Sequence, residues 1–85
     1  MGVSMNARVY VTPKSTVLDP QGQTIRAALN AHGHASVSEV RQGKYFEIRL
    51  AEGLDAAAAG AEIDEIAREV LSNPVIEEYR VEMLP

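Results

Sequence analysis

Two kinds of side chain in this sequence could move protons or hold a metal. His32 and His34 lie two residues apart, and the carboxylates Glu62, Asp64, Glu65 and Glu69 crowd one short stretch. Acid–base or nucleophilic catalysis needs a reacting group within reach of a base, and a third group that orients that base. No serine nucleophile, carboxylate dyad or glycine-rich phosphate loop accompanies the histidines at a recognisable spacing. The absence of cysteine removes thiol nucleophiles, thiolate metal sites and disulfides. His32 is instead expected at the C-terminal end of a helix, where its partial positive charge faces free carbonyls. The four carboxylates are expected on the solvated face of another helix. The residues therefore predict no catalytic set and no metal site.

Two other pieces exceed what folding alone asks for. In Asp19-Pro20-Gln21-Gly22 a glycine occupies the first turn of a helix that alanine would favour, which makes sense if another backbone approaches it closely. In Arg41-Gln42-Gly43-Lys44 two cations flank a glycine at the expected tip of a hairpin. Their first reading is a cap and a turn. Their functional reading is contact with a partner, through Asp19, Pro20, Gln21, Gly22, Arg41, Gly43 and Lys44.

The elements that carry these pieces follow from periodicity. Met1 to Asn6 has no period and is expected to be a disordered extension, leaving residues 7–84 as one domain. Ala7, Val9 and Val11 alternate with Arg8, Tyr10 and Thr12, predicting a half-buried strand that Pro13 ends or places at an edge. Asp19 caps a helix that has Pro20 at its first position and stops at Gly33, with an apolar stripe of Ile25, Ala28, Leu29 and His32. Ser36–Arg41 and Tyr45–Leu50 read as two strands joined at Gln42-Gly43, where glycine would supply a positive φ.

Leu54 to Leu71 reads as a second helix, capped by Asp55 and stopped at Ser72-Asn73-Pro74, with Asn73 in a left-handed conformation. Gly60 within it predicts a packing reason. Ile76–Met83 supplies a last strand. The order β-α-β-β-α-β predicts an α+β two-layer sandwich of ferredoxin-like topology, with two helices on one face of a four-stranded antiparallel sheet. The other face would carry Tyr10, Tyr45 and part of Tyr79. Such a composition suits partial burial against another copy, so a homodimer or tetramer is expected, with exchange of the first helix and its neighbouring strand as one route.

At 85 residues the chain has room for one modest core. Its net charge of −4 hides an asymmetry: residues 1–50 hold six Lys/Arg against three Asp/Glu, and residues 51–85 hold two against nine. Clustered positive charge is what phosphate backbones attract, so a nucleic-acid partner is disfavoured. Gly43-Lys44-Tyr45-Phe46 touches on an RNA-recognition motif but lacks its second glycine and aromatic spacing. No apolar run approaches the roughly 20 residues of a membrane span, and no signal pattern opens the chain, so it is expected to be soluble and cytoplasmic.

Taken together, Val9-Tyr10-Val11, Lys14, Val17-Leu18-Asp19-Pro20-Gln21-Gly22, Ala28-Leu29, Gly33, Val40-Arg41-Gln42-Gly43-Lys44 and Asn73-Pro74-Val75-Ile76-Glu77 resemble the PurS family. These are the small subunits of phosphoribosylformylglycinamidine synthase. The resemblance spans residues 7–84. It implies a non-catalytic subunit in de novo purine synthesis that bridges a glutaminase subunit and a large synthetase subunit and assists ammonia transfer. It implies no cofactor in this subunit, with ATP, magnesium and glutamine used by the partners. The rival reading of the same topology is a stand-alone domain that senses a small molecule.

Overall fold

The computed structural model describes residues 5–84. Three strands and two helices follow in the order β1 (Asn6–Pro13), α1 (Pro20–Ala31), β2 (Lys44–Arg49), α2 (Ala56–Ile66) and β3 (Glu77–Leu84), and α2 runs on into a π-helical turn, Ala67–Leu71. The three strands form one antiparallel sheet in the order β2-β1-β3. Pro13 is the last paired residue of the central strand, opposite Glu77, so it ends that strand where its missing N–H does least harm. The expected extension, residues 1–6, lies mostly outside the described residues; β1 already includes Asn6, and the Met5 carbonyl accepts from the Leu50 N–H at 2.8 Å.

Register sorts the side chains onto two faces. Ala7, Val9 and Val11 point to the dry side with Phe46 and Ile48 from β2 and Tyr79, Val81 and Met83 from β3. Ala59 and Ile63 of α2 and Ala67 of the π turn close over them, and all six fully buried apolar side chains among the described residues belong to β1, α2 or the π turn. Alanine at two of the three helix positions brings the helix axis close to the sheet and keeps the core small. Asp55 caps α2 as expected, its Oδ1 accepting from the Ala57 and Ala58 N–H groups at 2.8 and 3.1 Å.

Several expectations need correction. Ser36–Arg41 is not a strand, and the sheet has three strands rather than four. Its valines, Val37 and Val40, are three residues apart, so an extended chain would turn them to opposite faces and could not build a dry side. Gly43 has no positive φ; that conformation is confined to Gly33 (φ 95°) and Gly53 (φ 89°) among the described residues. Asn73 is likewise not left-handed. The helix ends through the π turn, where the Ser72 N–H and Oγ both donate to the Ala67 carbonyl, at 3.0 and 2.7 Å. Asn73 then organises the next turn, its Oδ1 accepting from the Val75 N–H. Gly60 has no atom within 4 Å of where a Cβ would stand, so no neighbour in this chain requires a glycine there. Tyr79 lies on the dry side, with its hydroxyl donating to Asp64 Oδ1 at 2.9 Å.

The larger correction concerns α1, which does not lie on the sheet. Gly22 is its one buried residue, and Ile25 of its apolar stripe is 39% exposed. The helix and the return segment after it make an arm beside the sheet. The radius of gyration is 16.8 Å, with extents of 54 × 27 × 14 Å. A compact chain of this length would have a radius of gyration near 12 Å, estimated as ~2.2·N^0.38. Among the described residues no helix is long and apolar enough to cross a membrane.

Candidate functional site

The arm is held by the two pieces singled out in the sequence, and the structure brings them together. Asp19 has the extended backbone of an N-cap, and its Oδ1 accepts from the Gly22 N–H at 3.0 Å. Its second oxygen, Oδ2, accepts from the Gln42 N–H at 2.7 Å, across 23 positions of sequence. One carboxylate thus ties the start of α1 to the segment that leads into β2. Those two backbone donors, Gln42 first and then Gly22, hold the Asp19 carboxyl below its ordinary range, against the opposing effect of its burial and with help from the Arg41 charge.

Gly22 explains itself in the same place. A Cβ there would stand 2.1 Å from the Val40 carbonyl oxygen and 2.7 Å from Asp19 Oδ2, so another backbone does approach this turn of the helix, and it is the chain's own. Gly43 is required for a related reason. A Cβ on it would meet the Val11 carbonyl oxygen at 2.4 Å, which makes close approach to β1, rather than a positive φ, its role. Arg41 completes the clasp: its Nη2 donates to the Lys14 carbonyl at 2.6 Å and to that of Pro13 at 3.5 Å. Segment 40–43 is therefore drawn to the root of α1 and the end of β1, which is a second reason that Ser36–Arg41 does not fold back on β2.

At its far end α1 stops in a Schellman arrangement. The His34 N–H donates to the Leu29 carbonyl at 3.0 Å and the Gly33 N–H to that of Asn30 at 3.2 Å, with Gly33 left-handed. His32 is the C-cap residue. Asn30 Nδ2 then donates to the carbonyls of His34 and Val37, at 2.8 and 3.2 Å, and turns the chain back along the helix. Sequence reasoning missed Asn30; its position one turn before the Gly33 stop was the available signal.

Of the seven residues predicted to touch a partner, Asp19 and Gly22 are buried, while Arg41 is half-buried and bonded within the chain. Lys44 is exposed and pairs with Glu77 at 3.7 Å. Pro20 and Gln21 face outward and, with Thr24, Ile25 and Gln42, line one shallow open groove. The buried members shape the site, and the outward ones are available to a second molecule. The acidic residues of α2 lie exposed, and Asp64 alone among Glu62, Asp64, Glu65 and Glu69 is bonded to another element, by Tyr79. The Asp64 bond, and to a lesser degree burial, pushes the Tyr79 hydroxyl above its ordinary pKa. Among the described residues no three His, Asp or Glu side chains come together as metal ligands would.

Comparison with known proteins gives the family. The family described as PurS, phosphoribosylformylglycinamidine (FGAM) synthase, matches residues 6–85. The chain belongs to the PurS family. It is similar to the PurS subunit of the synthase from Synechocystis sp., 41% identical over 83 residues, 98% of this chain and 82% of the relative. To that of Mycobacterium leprae it is 41% identical over 75 residues, 88% of this chain and 90% of the relative. Solved PurS structures share the architecture. Bacillus subtilis PurS matches with a TM-score of 0.81 at 35% identity, over 95% of this chain and 99% of that one. A chain in the structure of PurLQS from Thermotoga maritima matches with a TM-score of 0.86 at 30% identity, over 96% and 99%.

Proposed function

We propose that this chain is the non-catalytic PurS subunit of a phosphoribosylformylglycinamidine synthase, an assembly module that bridges a glutaminase subunit and an ATP-dependent synthetase subunit in purine biosynthesis. The partners would handle glutamine, ATP and magnesium, and this subunit would hold them close enough for ammonia to pass. One observation carries the reading. A carboxylate, two glycines and an arginine are committed to fixing the outward groups Pro20, Gln21 and Gln42 on one rigid corner. A surface built from backbone and buried side chains in this way suits recognition better than chemistry.

The subunit would act as a homodimer. The exposed stripe of α1 and the half-covered dry face of the sheet are the two halves of a sandwich that one chain leaves open. Exchange of arms would lay α1 of a second copy beside α2.

Replacing Gln21 and Gln42 together by alanine tests the corner without touching what shapes it, because both side chains are exposed. The pair should leave the melting temperature unchanged and weaken assembly with the two partner subunits at least tenfold. Unchanged assembly would reject this corner as a contact.

A further inference from the structure

The arm leaves the sheet and returns to it on two neighbouring legs, residues 14–18 after β1 and residues 40–43 before β2. The ladder between β1 and β2 ends at the pair Val11 and Lys44. Pro13 has no N–H with which to carry it further. Beyond that point, among the described residues, no backbone hydrogen bond crosses from one leg to the other. α1 itself lies on neither the sheet nor α2. The angle between arm and sheet must therefore be fixed at the root, or the arm swings.

The bonds at the root fall into two sets. One set lies within the arm. Asp19 Oδ2 accepts from the Gln42 N–H at 2.7 Å, and Gly22 makes room for the Val40 carbonyl, so α1 and the return leg form one piece. Asn30 does the same at the tip, donating to the carbonyls of His34 and Val37. The other set joins the arm to the sheet unit, and it is a single side chain. Arg41 Nη2 donates to the Lys14 carbonyl at 2.6 Å and, at the longer distance of 3.5 Å, to that of Pro13. Lys14 belongs to the sheet unit, because its own N–H donates to the Ile76 carbonyl at 2.9 Å, just ahead of β3. The flanking chain adds no brace: Ser15 and Thr16 are exposed on one leg, and Gly43 on the other has no side chain.

We propose that the arm is a rigid lever whose angle to the sheet is latched by the Arg41 guanidinium on the Lys14 and Pro13 carbonyls. Breaking the latch leaves the helix, the Asp19 clasp and the sheet folded, and lets the arm pivot about residues 15–18 on one leg and Gly43 on the other. Asp19 and Gly22 give the corner of Pro20, Gln21 and Gln42 its shape, and Arg41 decides where that corner stands relative to the sheet. The inference concerns the chain itself and stands whether or not the corner meets a partner.

The native chain has no cysteine, so Ala35→Cys at the tip of the arm and Glu65→Cys on α2, both exposed positions, give a unique pair of spin labels. The distance between them is measured in the full chain, with labelled protein diluted in an excess of unlabelled protein. The background carries Ile25→Glu and Leu29→Glu, whose charges keep a second copy off the stripe of α1. With Arg41 in place the distance distribution should be narrow. Arg41→Met keeps an aliphatic stem and loses every donor. It should broaden the distribution at least twofold, while the Gly22 and Gln42 amides stay protected from hydrogen exchange and circular dichroism keeps its helix and strand signal.

Four results would each overturn the proposal. A distribution already broad with Arg41 present would mean that nothing latches the arm. One that stays narrow with Arg41→Met would mean that packing, and not the two bonds, sets the angle. Loss of protection at Gly22 and Gln42 along with the broadening would mean that the arm unfolds and does not pivot. Collapse of the fold in the Ile25→Glu and Leu29→Glu background would mean that the arm is packed within its own chain.

Discussion

At the scale of single residues the most constrained position is Gly22. Its side-chain space is occupied by the Val40 carbonyl. Gly22→Ala should therefore destabilise the protein by about 1–3 kcal/mol, the usual cost of forcing atoms into a filled site. Chemical denaturation checks this, and a stability equal to that of the parent would mean that the arm does not dock as described. Asp19 makes a prediction in pH. Its carboxyl is held below the ordinary value, so the stability it contributes is complete above about pH 4, the usual carboxylate pKa, and is lost as pH falls through the lower folded value. Asp19→Asn keeps the shape but must present an N–H₂ group to one of two backbone donors. The variant should melt lower at neutral pH, and the gap between it and the parent should close in acid below pH 4. A gap that persists unchanged to pH 2 would remove the charge from the account. The need for Gly22 was legible in the sequence as a close backbone approach. That the approaching backbone was Val40 was not, because a contact across 18 positions leaves no local period.

At the scale of elements, strands and caps were legible where one rule dominates. The alternation in β1, β2 and β3 matches their faces, and Asp19, Asp55 and Gly33 begin or end helices as their chemistry requires. Failures came where tertiary contacts outbid local pattern. Ser36–Arg41 has some strand propensity but no consistent dry side, and Asp19, Gly22 and Arg41 hold its end elsewhere. The apolar stripe of α1 was expected to pack on the sheet of this chain; among the described residues it does not, and Ile25 stands exposed. Ile25→Glu with Leu29→Glu places charge on that stripe alone. Self-association should fall at least tenfold while far-UV circular dichroism keeps its helix and strand signal, since the core of β1 and α2 does not use these residues. Collapse of the fold instead would show that the stripe is buried within one chain. The candidate corner was legible as two suspicious segments, and its unity was not.

At the scale of the whole molecule, extents of 54 × 27 × 14 Å describe a flat sheet unit with an arm, a poor shape for enclosing a substrate and a good one for spanning two larger bodies. The charge asymmetry runs along the chain, with six Lys/Arg against three Asp/Glu in residues 1–50 and two against nine in residues 51–85. On the proposed function, this chain is a scaffold through which its partner subunits use ammonia from glutamine. Its most direct test is the rate of formylglycinamidine ribonucleotide formation by the glutaminase and synthetase subunits with and without this chain, using glutamine and, separately, ammonium as nitrogen source. Omitting the chain should abolish the glutamine-dependent rate and leave the ammonium-dependent rate standing. A glutamine-dependent rate that is the same with and without the chain would contradict the account.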